Sequence, residues 1–135
     1  MGEINIEHAN VTVKDPDETA AMLVRLFGWT IRWQGVKGAS IHGGYSVHVG
    51  TPGNGGGATY LALYRHPDPD QDTTDSYRTR GGLNHVGVVV DDLDAVEQRV
   101  LSEGLETHSH ADYEPGRRFY FDTDDGIEFE VASYA

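Results

Sequence analysis

Two histidines at matching places carry the first hint of chemistry in this 135-residue chain. His8 sits near the start of the run Ile6-Glu7-His8-Ala9-Asn10-Val11-Thr12-Val13, and His85 holds the same place in Leu83-Asn84-His85-Val86-Gly87-Val88-Val89-Val90. Asp15 and Asp92 follow them by the same interval, so the chain reads as one unit written twice, with a histidine at each start. An imidazole can move protons near neutral pH or ligate a metal ion, although a lone histidine at a strand start more often serves as a hydrogen-bonded structural residue. Toward the C-terminus, Tyr120 stands in Phe119-Tyr120-Phe121, where alternation points it opposite to its two neighbours. Glu128 and Glu130 flank Phe129, so one face of that strand carries both acids.

The elements that must position these groups are legible as a pattern. Residues 4–13 read as a strand. Asp15-Pro16-Asp17-Glu18 then supplies an acidic cap, a first-turn proline and further acid for a helix start. Met22, Leu23, Leu26 and Phe27 recur at helical spacing, and Gly28 supplies the stop. Residues 29–33 read as a strand, residues 39–42 and 45–49 as a strand pair or one bent strand turned at Gly43-Gly44, residues 51–57 as a glycine-rich hairpin turn, and residues 59–64 as a further strand. Residues 65–82 are polar and aperiodic, which predicts a linker. The valine run after His85 suits a strand covered on both faces. A second helix is expected from Asp92-Leu93-Asp94 to Gly104, burying Val96, Val100 and Leu101. Residues 105–108 read as a strand, 109–117 as irregular, 118–121 as a strand, 122–126 as a turn and 127–133 as the last strand. The expected fold class is therefore α+β: a first βαβββ module over about residues 1–65, a linker over 66–82 and a second module over 83–135. Paired, the two would make one curved mixed sheet around a cleft, with the helices outside.

Composition removes several function classes. The chain holds 10 Lys+Arg against 22 Asp+Glu, a formal charge of −12, which argues against a nucleic-acid backbone as partner. It has no cysteine, which excludes disulfides, thiolate nucleophiles and thiolate metal ligands. No basic and apolar leader is evident at the N-terminus, and no apolar run approaches the ~20 residues of a membrane helix, so a cytoplasmic protein without membrane partners is the expectation. Thr51-Pro52-Gly53-Asn54-Gly55-Gly56-Gly57 is not a phosphate loop, because no Lys-Ser/Thr follows it.

The repeat, with Leu83 to Gly104 as the opening of the second module and Phe119 to Val131 as its close, resembles the vicinal oxygen chelate superfamily, which includes glyoxalase I, type I extradiol dioxygenases, fosfomycin-resistance transferases, methylmalonyl-CoA epimerase and bleomycin-binding proteins. That family commonly closes on an Asp-Pro-x-Gly turn followed by a glutamate. Here the turn is Asp122-Thr123-Asp124-Asp125-Gly126, without the proline, and Glu130 falls in the glutamate's place. The resemblance implies metal ligands at His8, Ala62, His85 and Glu130; Ala62 cannot serve, which leaves His8, His85 and Glu130. Two imidazoles and a carboxylate match a facial triad, with Fe(II) favoured and Mn(II), Zn(II) or Ni(II) also suited.

The same resemblance implies that Tyr120 hydrogen-bonds a substrate beside the metal and that His110 is an acid/base residue, at a spacing about one residue longer than the family pattern. His42 and His48 are candidates for the cleft lining; His66 and His108 have no argument beyond exposure. Arg78, Arg80, Arg117 and Arg118 could neutralise an anionic substrate or simply lie on the surface. The function implied is a divalent-metal enzyme whose small substrate chelates the ion through adjacent oxygens. Extradiol ring cleavage is favoured, with a lyase, epimerase or thiol transferase as alternatives within the fold. A second reading is a metal-free binding protein of the bleomycin-resistance kind that takes an aromatic ligand on Trp29, Trp33 and Tyr60. Relatives that form homodimers imply a homodimer here.

Overall fold

A computed structural model describes residues 2, 4–35, 43–52, 58–70, 72, 74–113 and 116–135. The strand expected over residues 39–42, with its His42, and the glycines at 53–57 lie outside the described residues. The chain divides into two compact units, Met1–Pro69 and Asp70–Ala135. Each carries one long helix and a four-stranded mixed sheet, in the order strand, helix, strand, strand, strand, so the α+β class and the doubled βαβββ pattern hold.

The first unit contains β1 (His8–Thr12), α1 (Pro16–Phe27), β2 (Thr30–Gly35), β3 (Tyr45–Gly50) and β4 (Tyr60–Arg65), with sheet order β1-β4-β3-β2. The helix begins where the sequence asks. The Asp15 carboxylate accepts from the Glu18 amide at 3.1 Å, and Pro16 occupies the first turn, where its missing N–H costs nothing. It ends at Gly28, whose left-handed φ of 69° lets its N–H reach the Val24 carbonyl. Ala20, Leu23 and Leu26 are fully buried, as are Val47, Val49 and Leu63 of the sheet.

The second unit contains β5 (Val86–Val89), α2 (Leu93–Ser102), β6 (Thr107–Tyr113), β7 (Gly116–Asp122) and β8 (Glu128–Ser133), with sheet order β5-β8-β7-β6. Asp92 caps α2 through the Ala95 amide at 3.1 Å. Leu93, Val96 and Val100 are buried on one stripe of the helix. Phe119, Phe121, Phe129 and Val131 are buried in the sheet. No helix among the described residues is long and apolar enough to cross a membrane.

Four expectations are corrected by the structure. The valine strand β5 is not covered on both faces: it lies at the end of its sheet, and Val89 is 67% exposed. One helix per sheet covers one face only. Leu101 is 45% exposed because it falls beyond the Leu93–Val96–Val100 stripe at 3.6 residues per turn. Residues 109–113 are strand rather than irregular, and β6 absorbs the irregularity as a bulge between His108 and Ala111, with Ser109 at a φ of 57°. The polar segment before β5, expected to be a plain linker, contains a 3-10 turn, Ser76–Arg78.

The side-chain alternation of β7 and β8 is locked by this core. Phe129 is fully buried and its ring lies 5.1 Å from that of Phe121 at an 8° interplanar angle. Phe129→Ala is expected to cost about 3–5 kcal/mol, whereas Leu101→Ala should stay within about 0.5 kcal/mol of the parent; equilibrium urea denaturation of the two variants checks both.

Candidate functional site

The apolar face of the second unit's sheet sends alternate residues the other way. Facing away from the buried phenylalanines, β7 presents Arg118, Tyr120 and Asp122, and β8 presents Glu128 and Glu130. The parallel pairing of β5 with β8 sets Gly87 opposite Glu130, which brings His85, just before the strand, to the same neighbourhood. The result is a connected polar cluster on adjacent strands. His85 Nε2 lies 3.0 Å from Glu130 Oε2, and Arg118 Nη1 donates to the other carboxylate oxygen, Oε1, at 2.7 Å. Glu130 keeps only 15% of its side-chain surface exposed, so its charge is held against these partners and not against bulk water.

Tyr120 meets His85 edge to face, with ring centroids 5.8 Å apart, and stacks on His108 at 6.0 Å and 21°. Burial, and then the hydrogen bond and charge of Glu130, push its phenol above the ordinary value, so it is a neutral O–H donor at neutral pH. His108 in turn is held at Nε2 by Asp122 Oδ2 at 3.0 Å and at Nδ1 by the Ser109 hydroxyl at 2.9 Å.

The bulge in β6 separates its two histidines. His108 pairs with Tyr120 and shares its face. His110 lies on the α2 side: its Nε2 is 2.6 Å from Glu97 Oε2 of the helix, and its ring stacks on the buried Phe119. A shallow cavity of about 210 Å³ adjoins it, lined in part by Leu93, Glu97 and Arg117. The structure therefore brings Tyr120, His85 and Glu130 together and places His110 apart from them. Arg117 turns to the helix and pairs with Asp94 at 3.0 Å, while Arg118 serves Glu130.

In the first unit the same registers carry different chemistry. Asn10 faces Ala62 as Gly87 faces Glu130, so Ala62 holds the place of Glu130. His48, opposite Ala62, holds the place of Tyr120, and Trp33, opposite His48, that of His108. What stands there is a column of rings. His8 stacks on Tyr60 at 4.8 Å, Tyr60 on His48 at 4.7 Å, and His48 meets Trp33 at 5.0 Å. His8 Nδ1 is also 2.9 Å from Glu7 Oε1. Trp29 contacts Phe27 rather than this column, and His66 accepts from the Asp68 amide.

Tyr77 was not singled out by the sequence. Its hydroxyl donates to Glu128 Oε2 at 2.9 Å and lies 3.3 Å from His85 Nδ1. The one available signal was a tyrosine within an otherwise small and polar stretch, which is too common to be read.

Whether these groups suit a divalent ion is decided by donor geometry. Two donors of a facial triad that share an ion at about 2.1 Å each and near a right angle stand about 3.0 Å apart, and His85 Nε2 and Glu130 Oε2 have that separation, which is also that of a direct hydrogen bond between them. Arg118 donates to Oε1, and the Tyr120 phenol also hydrogen-bonds this carboxylate. The pair fits. Among the described residues no group of three or more His, Asp or Glu is gathered as a complete ligand set, and His8 belongs to the other unit.

A sequence profile described as the Glyoxalase/Bleomycin resistance protein/Dioxygenase superfamily matches residues 5–131. The chain belongs to this superfamily. Among solved structures, it is similar to a glyoxylase/bleomycin resistance protein/dioxygenase domain from Frankia sp. EAN1pec, with 23% identity, 98% of each chain covered and a TM-score of 0.77. A glyoxalase family protein from Bacillus cereus matches at 17% identity, 98% of this chain, 95% of that one and a TM-score of 0.74. The genomically encoded fosfomycin resistance protein FosX of Listeria monocytogenes, solved with Mn(II) and sulfate, matches at 18% identity, 98% of this chain, 93% of that one and a TM-score of 0.68. At these identities the likeness establishes the fold. No curated protein matches the chain.

The His110–Glu97 contact gives a pH-dependent expectation. Burial alone would raise the Glu97 carboxyl, but the hydrogen bonds from Thr107 and His110 and the His110 charge together hold it below its usual value. A carboxylate lowered in the folded state adds stability above its unfolded pKa and loses it as the pH falls through the folded one. Glu97→Gln should cost about 1–2 kcal/mol at neutral pH. The gap to the parent should close on acidification through the lowered carboxylate range, as read by urea denaturation over a pH series.

Proposed function

We propose that this superfamily member is a divalent-metal-dependent enzyme, with His85 and Glu130 as paired ligands. It would act on a small substrate that presents two adjacent oxygens, and extradiol-type ring cleavage is the favoured reaction. The observation that carries this is the 3.0 Å approach of His85 Nε2 to Glu130 Oε2, with Tyr120 beside both. The complex of FosX with Mn(II) supports a divalent ion in this fold. When bound, the ion, Fe(II) by preference, supplies a Lewis acid and a template for the two substrate oxygens.

The chain's own groups do the rest. Arg118 holds Glu130 in one orientation. Tyr120, kept as a neutral phenol hydrogen-bonded to Glu130, would turn that single O–H from the carboxylate to a substrate oxygen next to the ligand pair. His108 shares that face and is oriented by Asp122, so the reading gives it the proton-transfer role in place of His110.

One observation favours a second reading. The ring column His8–Tyr60–His48–Trp33 offers apolar, polarisable surface to a flat aromatic ligand, and Ala62 leaves that unit without a carboxylate at the corresponding position. A metal-free binding protein would use this column and have no need of the His85–Glu130 pair.

The readings part on metal content. The purified protein is expected to bind a divalent ion stoichiometrically by elemental analysis and to lose it in His85→Ala and in Glu130→Ala. Anaerobic Fe(II) loading, then a catechol, then O₂ is expected to give a yellow ring-cleavage product. Absence of metal affinity in the intact protein overturns the enzyme reading; quenching of tryptophan fluorescence by an aromatic ligand in the presence of a chelator would then favour the second.

A further inference from the structure

The segment before β5 is a built device and not a plain connector. Asp75 Oδ1 accepts from the Tyr77 amide at 3.1 Å, and the Thr79 hydroxyl donates back to the Asp75 carbonyl at 2.8 Å. The Arg78 and Thr79 amides close a 3-10 turn onto the carbonyls of Asp75 and Ser76. Gly81 takes a left-handed φ of 81°, and the Gly82 amide donates to the Thr79 carbonyl at 2.8 Å. A Cβ at Gly82 would lie 2.5 Å from the Ser76 carbonyl oxygen, so only glycine fits there. This turn delivers a single side chain, Tyr77, to the ends of β5 and β8. The Tyr77 residue is itself 60% exposed, so its ring adds little core packing, and its two polar contacts are its main tie to the site.

For a neutral His85 ring those contacts have one consistent proton arrangement. A phenol has one O–H to donate, and a carboxylate oxygen can only accept. The Tyr77 hydroxyl therefore donates to Glu128 Oε2 at 2.9 Å. Its oxygen is then left to accept from His85 Nδ1 at 3.3 Å, which requires the proton on Nδ1. In the neutral ring Nε2 then carries the lone pair, aimed at Glu130 Oε2. Two lone pairs facing each other at 3.0 Å call for a cation between them, either a proton on Nε2 or a metal ion.

We propose that the Tyr77–Glu128 pair is a positioning device that holds His85 in the Nδ1–H tautomer, so that Nε2 and Glu130 Oε2 together present a cation-binding pair. The use of that pair for a metal rests on the metalloenzyme reading above; the tautomer itself does not. Partners of this kind on a ligating histidine are typically worth about 10–100-fold in metal affinity.

The test begins without metal, on the full chain, at a pH where the His85 ring is neutral. Long-range ¹H–¹⁵N correlation spectra report which ring nitrogen of His85 carries the proton. The native protein is expected to show Nδ1–H. Tyr77→Phe, which keeps the ring and loses the oxygen, is expected to lose that preference. Glu128→Gln, which keeps an acceptor for the phenol, is expected to retain it, whereas Glu128→Ala should not. Zn(II) titrations should then show affinity weakened about 10–100-fold in Tyr77→Phe and Glu128→Ala, with Glu128→Gln closer to the parent. Circular dichroism confirms the fold of each variant, and the two independent losses guard against one that fails to fold. An Nε2–H tautomer in the native protein, or an unchanged tautomer and affinity in Tyr77→Phe, overturns the proposal. A tautomer that shifts as stated in a protein with no Zn(II) affinity upholds the positioning role and sinks the metalloenzyme reading instead.

Discussion

The candidate site depends on the burial of Phe119, Phe121, Phe129 and Val131 in the second unit's sheet. A strand turns successive side chains to opposite faces, so burying these four leaves no choice for their neighbours. Arg118, Tyr120, Glu128 and Glu130 must face the other way. A slip of one residue in either strand would place carboxylates in the apolar layer, at a desolvation cost no partner there would offset. The precision of the polar cluster is thus inherited from an apolar one. The glutamate is held at 3.0 Å from His85 by a register that phenylalanine packing sets.

The same backbone plan, run in the first unit, yields something chemically different. The register that sets Glu130 opposite Gly87 sets Ala62 opposite Asn10. With no carboxylate there, His8 is engaged by the Tyr60 ring and by Glu7. His48 and Trp33 extend the stack across the sheet, where Tyr120 and His108 stand in the second unit. The repeat has kept its hydrogen-bonding scheme and divided its side-chain chemistry: one half gathers charge and titratable groups, and the other gathers rings. Superfamily membership accounts for the shared scheme and leaves the division to be read from the residues themselves.

Much of this was legible because it is local. The caps at Asp15 and Asp92, the stop at Gly28 and the apolar stripe of α2 are written in short patterns whose physics acts within a turn or two. The alternation around Phe129 and the doubled histidine were equally plain. Leu101 shows the limit of such reading: it is apolar and in the helix, yet lies beyond the stripe that meets the sheet. The two histidines of β6 show it again. Nothing in Thr107-His108-Ser109-His110 announces that Ser109 takes a left-handed φ and sends His108 toward Tyr120 and His110 toward Glu97.

By itself, then, the sequence determined the two βαβββ units, where their helices begin, and the presence of a histidine just before one strand and a glutamate within another of the same sheet. Each follows from periodicity and capping, which act between near neighbours in the chain. Which groups meet was decided only by the tertiary structure. Tyr77 reaches His85 and Glu128 because a closed turn aims it there, and His108 replaces His110 beside Tyr120 because a bulge changes which way the strand faces. The first depends on how a locally closed turn lies against β8, far along the chain, and the second on a single unusual dihedral, and neither leaves a mark in residue type alone.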